Sequence, residues 1–419
     1  MINHPFSLTC RVTALSAIVF AGTCLRSQPA DSPTQTWIAT WGASPIKIYL
    51  VPPAPVQIGV TGSVRFKFRA SIGGEKIRIN FSNELGEEPM KIGAASVALA
   101  EADGMVVTTS ITPLMFDGLA QAVIPVGAAK LSDPVALHLP AGAEGFVSVY
   151  FPSGAKVTPW LFTVIPNLPD RDGTRDPVWL AARAIQMRPV VSRVDVLATG
   201  PAAAIVALGD SITDSRPFGG PPPWTDHLAE RLRGHGGPLR GVVNAGISGN
   251  RVLASGVGAA GLQRFDRDVL AAPGVKFAII ALGINDIVFT DVQFLPGEPS
   301  HVKSAADLIA AYQQLIARAH EKGVKVIGAT ITPSKEQETT IPGTHTPQKE
   351  AIRQAVNHWI RSSGTFDGVV DFDAALRDPA DPERLLPKFD SGDHVHPNDC
   401  GGRAMADAFD LSLFVTKAD

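Results

Sequence analysis

A chain of 419 residues, 45% hydrophobic and 18% charged with a formal net charge of −3, has room for two globular domains. Such a balance gives no electrostatic reason to bind nucleic acid or an anionic membrane, and no basic run suited to a polyanion appears. The 39 Gly and 34 Pro point to many turns.

The first element is Val12 to Leu25, an uncharged and mostly apolar run behind Arg11, closed by Arg26, Ser27, Gln28 and Pro29. It is too short to cross a bilayer comfortably, so no stable membrane span is expected and a signal peptide over residues 1–27 is. That reading implies a secreted or periplasmic protein. A lipoprotein anchor at Cys24 is the lesser alternative, because Thr23 precedes it where Gly or Ala is usual. Cys10 and Cys24 fall in the presumed signal, leaving Cys400 as a single thiol, expected to pack rather than react.

From residue 36 to 195 the patterning is that of short strands. Val64 to Ala70 alternates apolar and basic residues, Gly73-Gly74 reads as a turn, and Lys76 to Phe81 alternates again, so a hairpin is expected. Further strands are expected at Ala95 to Leu99, Val135 to Leu139 and Gly145 to Phe151. Many short strands with Gly, Pro, Asp and Ser between them argue for an all-β, jelly-roll-like sandwich, an accessory domain.

Between residues 200 and 417 the period changes. Apolar runs at Ala203 to Leu208, Val242 to Ala245, Phe277 to Leu282, Val324 to Ile331 and Val369 to Phe372 suit buried parallel strands. Helices are expected from Pro223, from a capping box at Ser304 and Asp307, over Gln348 to Arg361, and from Asn398 or Asp399. The alternation implies a doubly wound parallel α/β sheet of the flavodoxin-like kind, whose reactive groups gather at the carboxyl ends of its strands.

Candidate site residues fall at those ends. Ser211 follows the first run in Gly209-Asp210-Ser211-Ile212-Thr213, Gly249 the second, and Asn285 the third. Asp393 and His396 precede the last helix. A serine hydroxyl needs a base to become a nucleophile, His396 can supply it, and Asp393 can hold the second ring nitrogen. The backbone N–H groups of Ser211 and Gly249 and the amide of Asn285 are candidate donors to a tetrahedral oxyanion. Asp390 competes with Asp393 as the acid, and His394 reads as a loop residue. Arg251 and Thr332 are candidates for pocket lining or for structural roles. His394, His396, Asp393 and Asp399 share one short loop without a wider ligand set, so no metal is expected, and an acyl-enzyme route on Ser211 calls for no organic cofactor. No Gly-x-Ser-x-Gly elbow surrounds Ser211, which disfavours the α/β-hydrolase architecture.

As a set these residues resemble the GDSL, or SGNH, hydrolase superfamily, with Ser211, Gly249, Asn285 and His396 as the namesake residues and Asp393 as third triad member. Asp393-His394-Val395-His396-Pro397 stands where the family often has Asp-Gly-Ile-His-Pro, and Ile212 where it has leucine. Trp37 to Ser44, Ser82 to Glu87 and Asp371 to Asp373 fit a bacterial branch in which such a domain follows a β-rich module. The resemblance implies a serine esterase of short-chain acyl esters, acetyl groups on carbohydrate foremost, with a small-molecule or polysaccharide ester as its partner. Two alternatives are an acyl hydrolase of lysophospholipase, lipase or arylesterase type, and a carbohydrate-binding protein with an inactive hydrolase domain.

Overall fold

Near residue 200 the sequence passes from period-two patterning to strand–helix alternation, and the architecture changes at the same point. The computed structural model describes residues 35–48, 57–101, 105–179, 182–214, 222–293 and 297–416. The expected signal peptide at residues 1–27 lies outside the described residues.

Residues 35–199 build two large antiparallel sheets and a two-stranded one, Met90–Ile92 with Ala122–Ile124. The first runs Gln35–Gly42, Val191–Thr199, Gly74–Asn83 and Ala128–Leu131, with Val135–Leu139 also paired to Gly74–Asn83. The second has six strands in the order Arg183–Met187, Pro159–Leu168, Ile58–Arg69, Glu144–Val157, Ala94–Leu99 and Thr112–Pro113. Alternate residues of Ile58–Arg69 explain its place: Val64, Phe66 and Phe68 are buried in the common core. Burying each such side chain stabilises the fold by roughly 1.5–3 kcal/mol.

Two expectations for this region fail. Val64 to Ala70 and Lys76 to Phe81 do not form a hairpin, because their strands lie in different sheets. The connection is captured by other partners: Ala70 N–H donates to Ala143, Ser71 N–H donates to Thr40, and Gly73 passes Leu139 too closely for a side chain. Nor is the basic face of Ile58–Arg69 wholly solvated. Arg65 is buried, donating to Ser148 Oγ and to the carbonyls of Asp176 and Pro177, with Trp179 stacked 4.3 Å from its guanidinium carbon.

Beyond residue 200 five strands form a parallel sheet: β1 (Ala202–Gly209), β2 (Leu239–Gly246), β3 (Val275–Ala281), β4 (Lys325–Ala329) and β5 (Gly368–Val370). Their spatial order is 2-1-3-4-5, the doubly wound order whose crevice opens where β1 and β3 leave in opposite directions. β1 is buried on both faces, which is why it reads as an unbroken apolar run. The helices that position the site are α1 (Ser211–Asp214), α2 (Trp224–His235), α3 (Ile284–Val288), α4 (Ala305–Glu321), α5 (Pro347–Ser362) and α6 (Asp399–Asp407). The expected starts are seen: Asp307 accepts from Ser304 N–H, Thr346 Oγ1 accepts from Lys349 N–H ahead of Pro347, and Asn398 Oδ1 accepts from Gly401 N–H.

Residues 35–419 make one compact unit, and a single hydrophobic cluster runs from Phe66 and Ile79 through Ile38 into Ile205, Phe277 and Leu315. The seam is tight. A Cβ on Gly241 of β2 would lie 2.2 Å from the Ala39 carbonyl oxygen, and Val242 N–H donates to Ser71 Oγ. Among the described residues no helix is long and apolar enough to cross a membrane.

Candidate active site

Glycine closes both β1 and β2. A Cβ at Gly209 would lie 2.2 Å from Thr213 Oγ1, and one at Gly246 2.3 Å from the Asp214 nitrogen, so only glycine lets α1 fold back this closely. The Asp210 carbonyl accepts from Thr213 and Asp214 N–H at 3.1 and 2.8 Å, leaving Ser211 at the start of the helical turn, on the tip of β1.

The chain returns to that tip 185 positions later. His396 Nε2 lies 2.7 Å from Ser211 Oγ, and its Nδ1 lies 2.5 Å from Asp393 Oδ2. Asp393 Oδ1 accepts N–H from Val395 and from His396 itself, a compact turn that the three-residue spacing permits. Burial works to raise the Asp393 carboxyl, but the hydrogen bond and charge of His396, with the two backbone donors, hold it well below the usual carboxylate range. The loop is anchored at both ends, by Ser391 N–H to the His396 carbonyl and Asn398 N–H to the Phe389 carbonyl, while Val395 is buried between them.

Asp390 does not serve His396. It accepts from the backbone N–H of Gly392 and His394 and sits 2.7 Å from His394 Nδ1, with Glu336 Oε2 3.5 Å from the same nitrogen. His394 holds φ +68, so it is a fixed corner of the loop as well as a loop residue. Asp390, His394 and Glu336 offer ligand atoms within 4.8 Å of one another, but Glu336 also pairs with Arg384. Sequence reasoning did not foresee Glu336, which arrives from the Lys335–Thr339 turn.

Gly249 takes φ +77 at the third position of the turn closed by Asn250 N–H on the Ile247 carbonyl, the left-handed conformation a type II turn asks for there. Asn285 stands on α3 behind Gly283, and its Nδ2 donates to the Asn250 carbonyl at 3.0 Å. The Ser211 and Gly249 backbone N–H groups and the second N–H of Asn285 have no acceptor among the described residues.

Under these donors lies a polar layer that sequence reasoning missed. Arg264, 1% exposed, donates to Gly209 O, Ala245 O and Asn250 Oδ1 and pairs with Asp268, joining the ends of β1 and β2 to the segment that holds Asn285. Asp286 accepts from Val252 and Leu253 N–H, fixing the chain just after the Gly249 turn. Burial pushes Asp286 up to about 6 against those two donors and Arg251. Burial pushes Asp210 up to about 7, opposed by Ile212 N–H and the charges of His396 and Arg264, with Asp286 adding to the rise. Arg188 reaches in from the β-rich region: its guanidinium donates to Ser44 O, Gly246 O and Asp214 Oδ1, while Asp214 Oδ2 accepts from Ser248 N–H and Oγ. No local pattern flags an arginine that acts so far from its own strand. Asp214, five residues after Gly209, could have been found from its place in the first strand–helix turn.

Burial places three further residues. Arg251 is buried and donates to Ser255 O, and Thr332 is buried with its hydroxyl unbonded among the described residues. Cys400 is not a packing residue but a free, exposed thiol. The inward positions of that turn belong to Gly401 and Gly402, and a Cβ on Gly401 would lie 2.7 Å from Pro397.

Residues 207–404 match the family model described as GDSL-like Lipase/Acylhydrolase family. No curated protein gives a significant match. Similar solved structures include a catalytic mutant of an acetylxylan esterase from Geobacillus stearothermophilus, 22% identical, covering 52% of this chain and 96% of that one at a TM-score of 0.38. A putative acylhydrolase from Bacteroides fragilis is 19% identical over 50% of this chain and 86% of its own, TM-score 0.37. A lipase/acylhydrolase from Enterococcus faecalis is 19% identical over 49% and 92%, TM-score 0.37. Residues 207–404 are a GDSL-like lipase/acylhydrolase domain, and the protein is a carboxylic ester hydrolase.

Proposed function

We propose, taking that GDSL-like lipase/acylhydrolase domain as the premise, that the protein is a serine esterase of short acyl esters, acetyl groups on carbohydrate foremost, acting outside the cytoplasm. The observation that carries the reading is the run of two short contacts, 2.5 Å from Asp393 to His396 and 2.7 Å from His396 to Ser211. Geometry of this kind suits general-base activation of a hydroxyl.

Ser211 Oγ attacks the ester carbonyl carbon as its proton passes to His396 Nε2. Asp393, kept ionised, accepts from Nδ1–H and stabilises the imidazolium. The carbonyl oxygen becomes an oxyanion received by Ser211 N–H, Gly249 N–H and Asn285 Nδ2. Collapse expels the alcohol, which takes the proton from Nε2, and leaves an acyl group on Ser211. Water then attacks that acyl carbon with His396 as base, releasing the carboxylic acid and restoring the serine. The acetyl and carbohydrate preference is supported by the family resemblance of the sequence, and the extracytoplasmic location by the apolar run Val12 to Leu25.

Ser211→Ala should lower p-nitrophenyl acetate turnover by about 10⁴-fold or more with the melting temperature unchanged. Substantial residual activity would remove Ser211 from the mechanism. Acetate release from acetylated xylan, set against cleavage of longer acyl esters and lysophospholipid, decides the substrate class. Faster turnover of the long-chain esters would reject the acetyl reading.

A further inference from the structure

A cleft of about 630 Å³ lies where the β-rich region meets α2 and β2, and Ser211 is not among its lining residues. Its lining mixes aromatic rings, Trp41, Phe146, Trp160 and Phe162, with cationic side chains from both walls. Most of those cations are satisfied inside the protein. Lys67 pairs with Glu144 at 2.7 Å, Arg188 with Asp214 at 2.9 Å, and Arg65 is held by Ser148 and two carbonyls.

Arg69 and Arg233 are the exception. They approach each other over Gly142: Arg69 Nε donates to the Gly142 carbonyl, and a Cβ on Gly142 would lie 3.3 Å from the Arg233 guanidinium carbon. Arg233 is held there by a bond to the Ser71 carbonyl. Burial first, and the charge of Arg69 second, push the Arg233 guanidinium down, against Glu230 and Asp226. Neither arginine has an ion-pair partner within 4 Å among the described residues. Two guanidiniums kept side by side at the wall of a cleft repel each other unless an anion joins them, and a carboxylate satisfies both with paired N–H donors.

The rings say what else such an anion carries. Phe162 is 42% exposed, an open aromatic face, and Trp160 packs against it with centroids 5.4 Å apart. The Trp160 Nε1–H is buried with no hydrogen-bond partner among the described residues. An acyl chain would want a continuous apolar lining, which Arg65, Lys67, Arg69, Glu144 and Asp226 interrupt. Sugar rings offer apolar faces for the aromatics and hydroxyls for the polar groups between them.

We propose that this cleft is a glycan-binding site that takes an oligosaccharide bearing a carboxylate, with the carboxylate between Arg69 and Arg233 and a sugar ring against the exposed face of Phe162. Asp214, at the cleft wall, is on the same helical turn as Ser211, and residues three apart on a helix have Cβ atoms only about 5–6 Å from one another. A glycan held here therefore brings a neighbouring esterified sugar toward Ser211, a link to catalysis that rests on the esterase reading above. The site thereby selects acidic, substituted polysaccharide over plain ester.

Calorimetric titration of the full-length wild-type protein tests this with two unesterified probes, a xylo-oligosaccharide carrying one glucuronate branch and its unbranched counterpart of equal length. The branched probe should bind at least about tenfold more tightly, as expected for a charge-assisted pair, and the Arg69→Glu variant should erase that difference. Arg69 is exposed, so this variant is expected to fold, and its melting curve checks that; Arg233→Ala gives a second route to the same loss. Equal affinity for both probes, or a preference that survives Arg69→Glu, overturns the proposal. Binding to phosphatidylglycerol vesicles in place of either glycan overturns it as well, by assigning the cleft to a lipid surface. Wild-type turnover of p-nitrophenyl acetate, which contains no sugar, tests the esterase reading separately. Turnover without the glycan preference defeats the cleft alone, and the preference without turnover defeats the esterase alone.

Discussion

The side chains of Asp393 and His396 are 52% and 38% exposed, whereas Asn285 is 7% and Arg264 1% exposed. The two halves of the site are built in opposite ways. The loop that carries Asp393 and His396 is held almost entirely by bonds between residues 389 and 398, within itself. The donor half is held from below by groups remote in sequence: Arg264 from its own short helix, Asp286 from α3, and Arg188 from the β-rich region. A local device tolerates water, because each bond reforms in place. A buried device resists displacement but couples rate to stability, since removing one partner strands a charge out of water.

The comparison can be broken at its buried end first. Asn285→Ala should lower kcat about 10²–10³-fold with little change in KM, as for loss of one oxyanion donor. A raised KM at unchanged kcat would make Asn285 a substrate contact instead. Arg188→Ala should cost roughly tenfold in kcat by freeing Asp214 and, through it, Ser248 beside Gly249, with a lower melting temperature. If the melting temperature falls and kcat holds, the arginine is merely structural.

The pH dependence sharpens the contrast further. Asp210 is raised to about 7 in the fold, against about 3.9 for an unfolded aspartate. Its folded pKa is the higher one, so the folded chain holds a proton that the unfolded chain has released. That contribution to stability is complete below about pH 4 and is lost as pH rises through 7, with a slope of at most about 1.4 kcal/mol per pH unit. Urea unfolding of Asp210→Asn between pH 5 and 8 should lack this fall; a slope equal to that of wild type would count against it. Smallest of all, Cys400→Ser on the exposed face of α6 should shift stability by no more than about 0.5 kcal/mol and leave turnover unchanged. A larger loss in a thermal melt would show a buried role for that thiol.

The same contrast explains what was legible in the sequence. The five parallel strands were, since a strand buried on both faces is a bare apolar run, and so was the Asp393–His396 pair, whose spacing is itself the geometry. Residues such as Arg188 and Arg264 were not, because an arginine's reach carries its effect far beyond any window in which a pattern could show. The hairpin misreading has a related cause. Gly73-Gly74 is a fair local turn signal, but Thr40 and Ala143 supply the hydrogen bonds that send the chain to the other sheet. Arg65 alternates correctly for a wet face, yet Trp179 and the carbonyls of 176 and 177 cover it.

The seam at Gly241, where the backbone of Gln35–Gly42 lies against β2 with no room for a methyl group, bears on how this enzyme could be taken apart. Cutting the chain near residue 200 would not liberate a smaller catalyst. It would strip the cover from Ile38's neighbours in β2, withdraw the guanidinium of Arg188 from the Gly246 carbonyl, and leave a sticky, poorly aligned fragment. Grafting the hydrolase half onto another scaffold would require that strand and that arginine to travel with it.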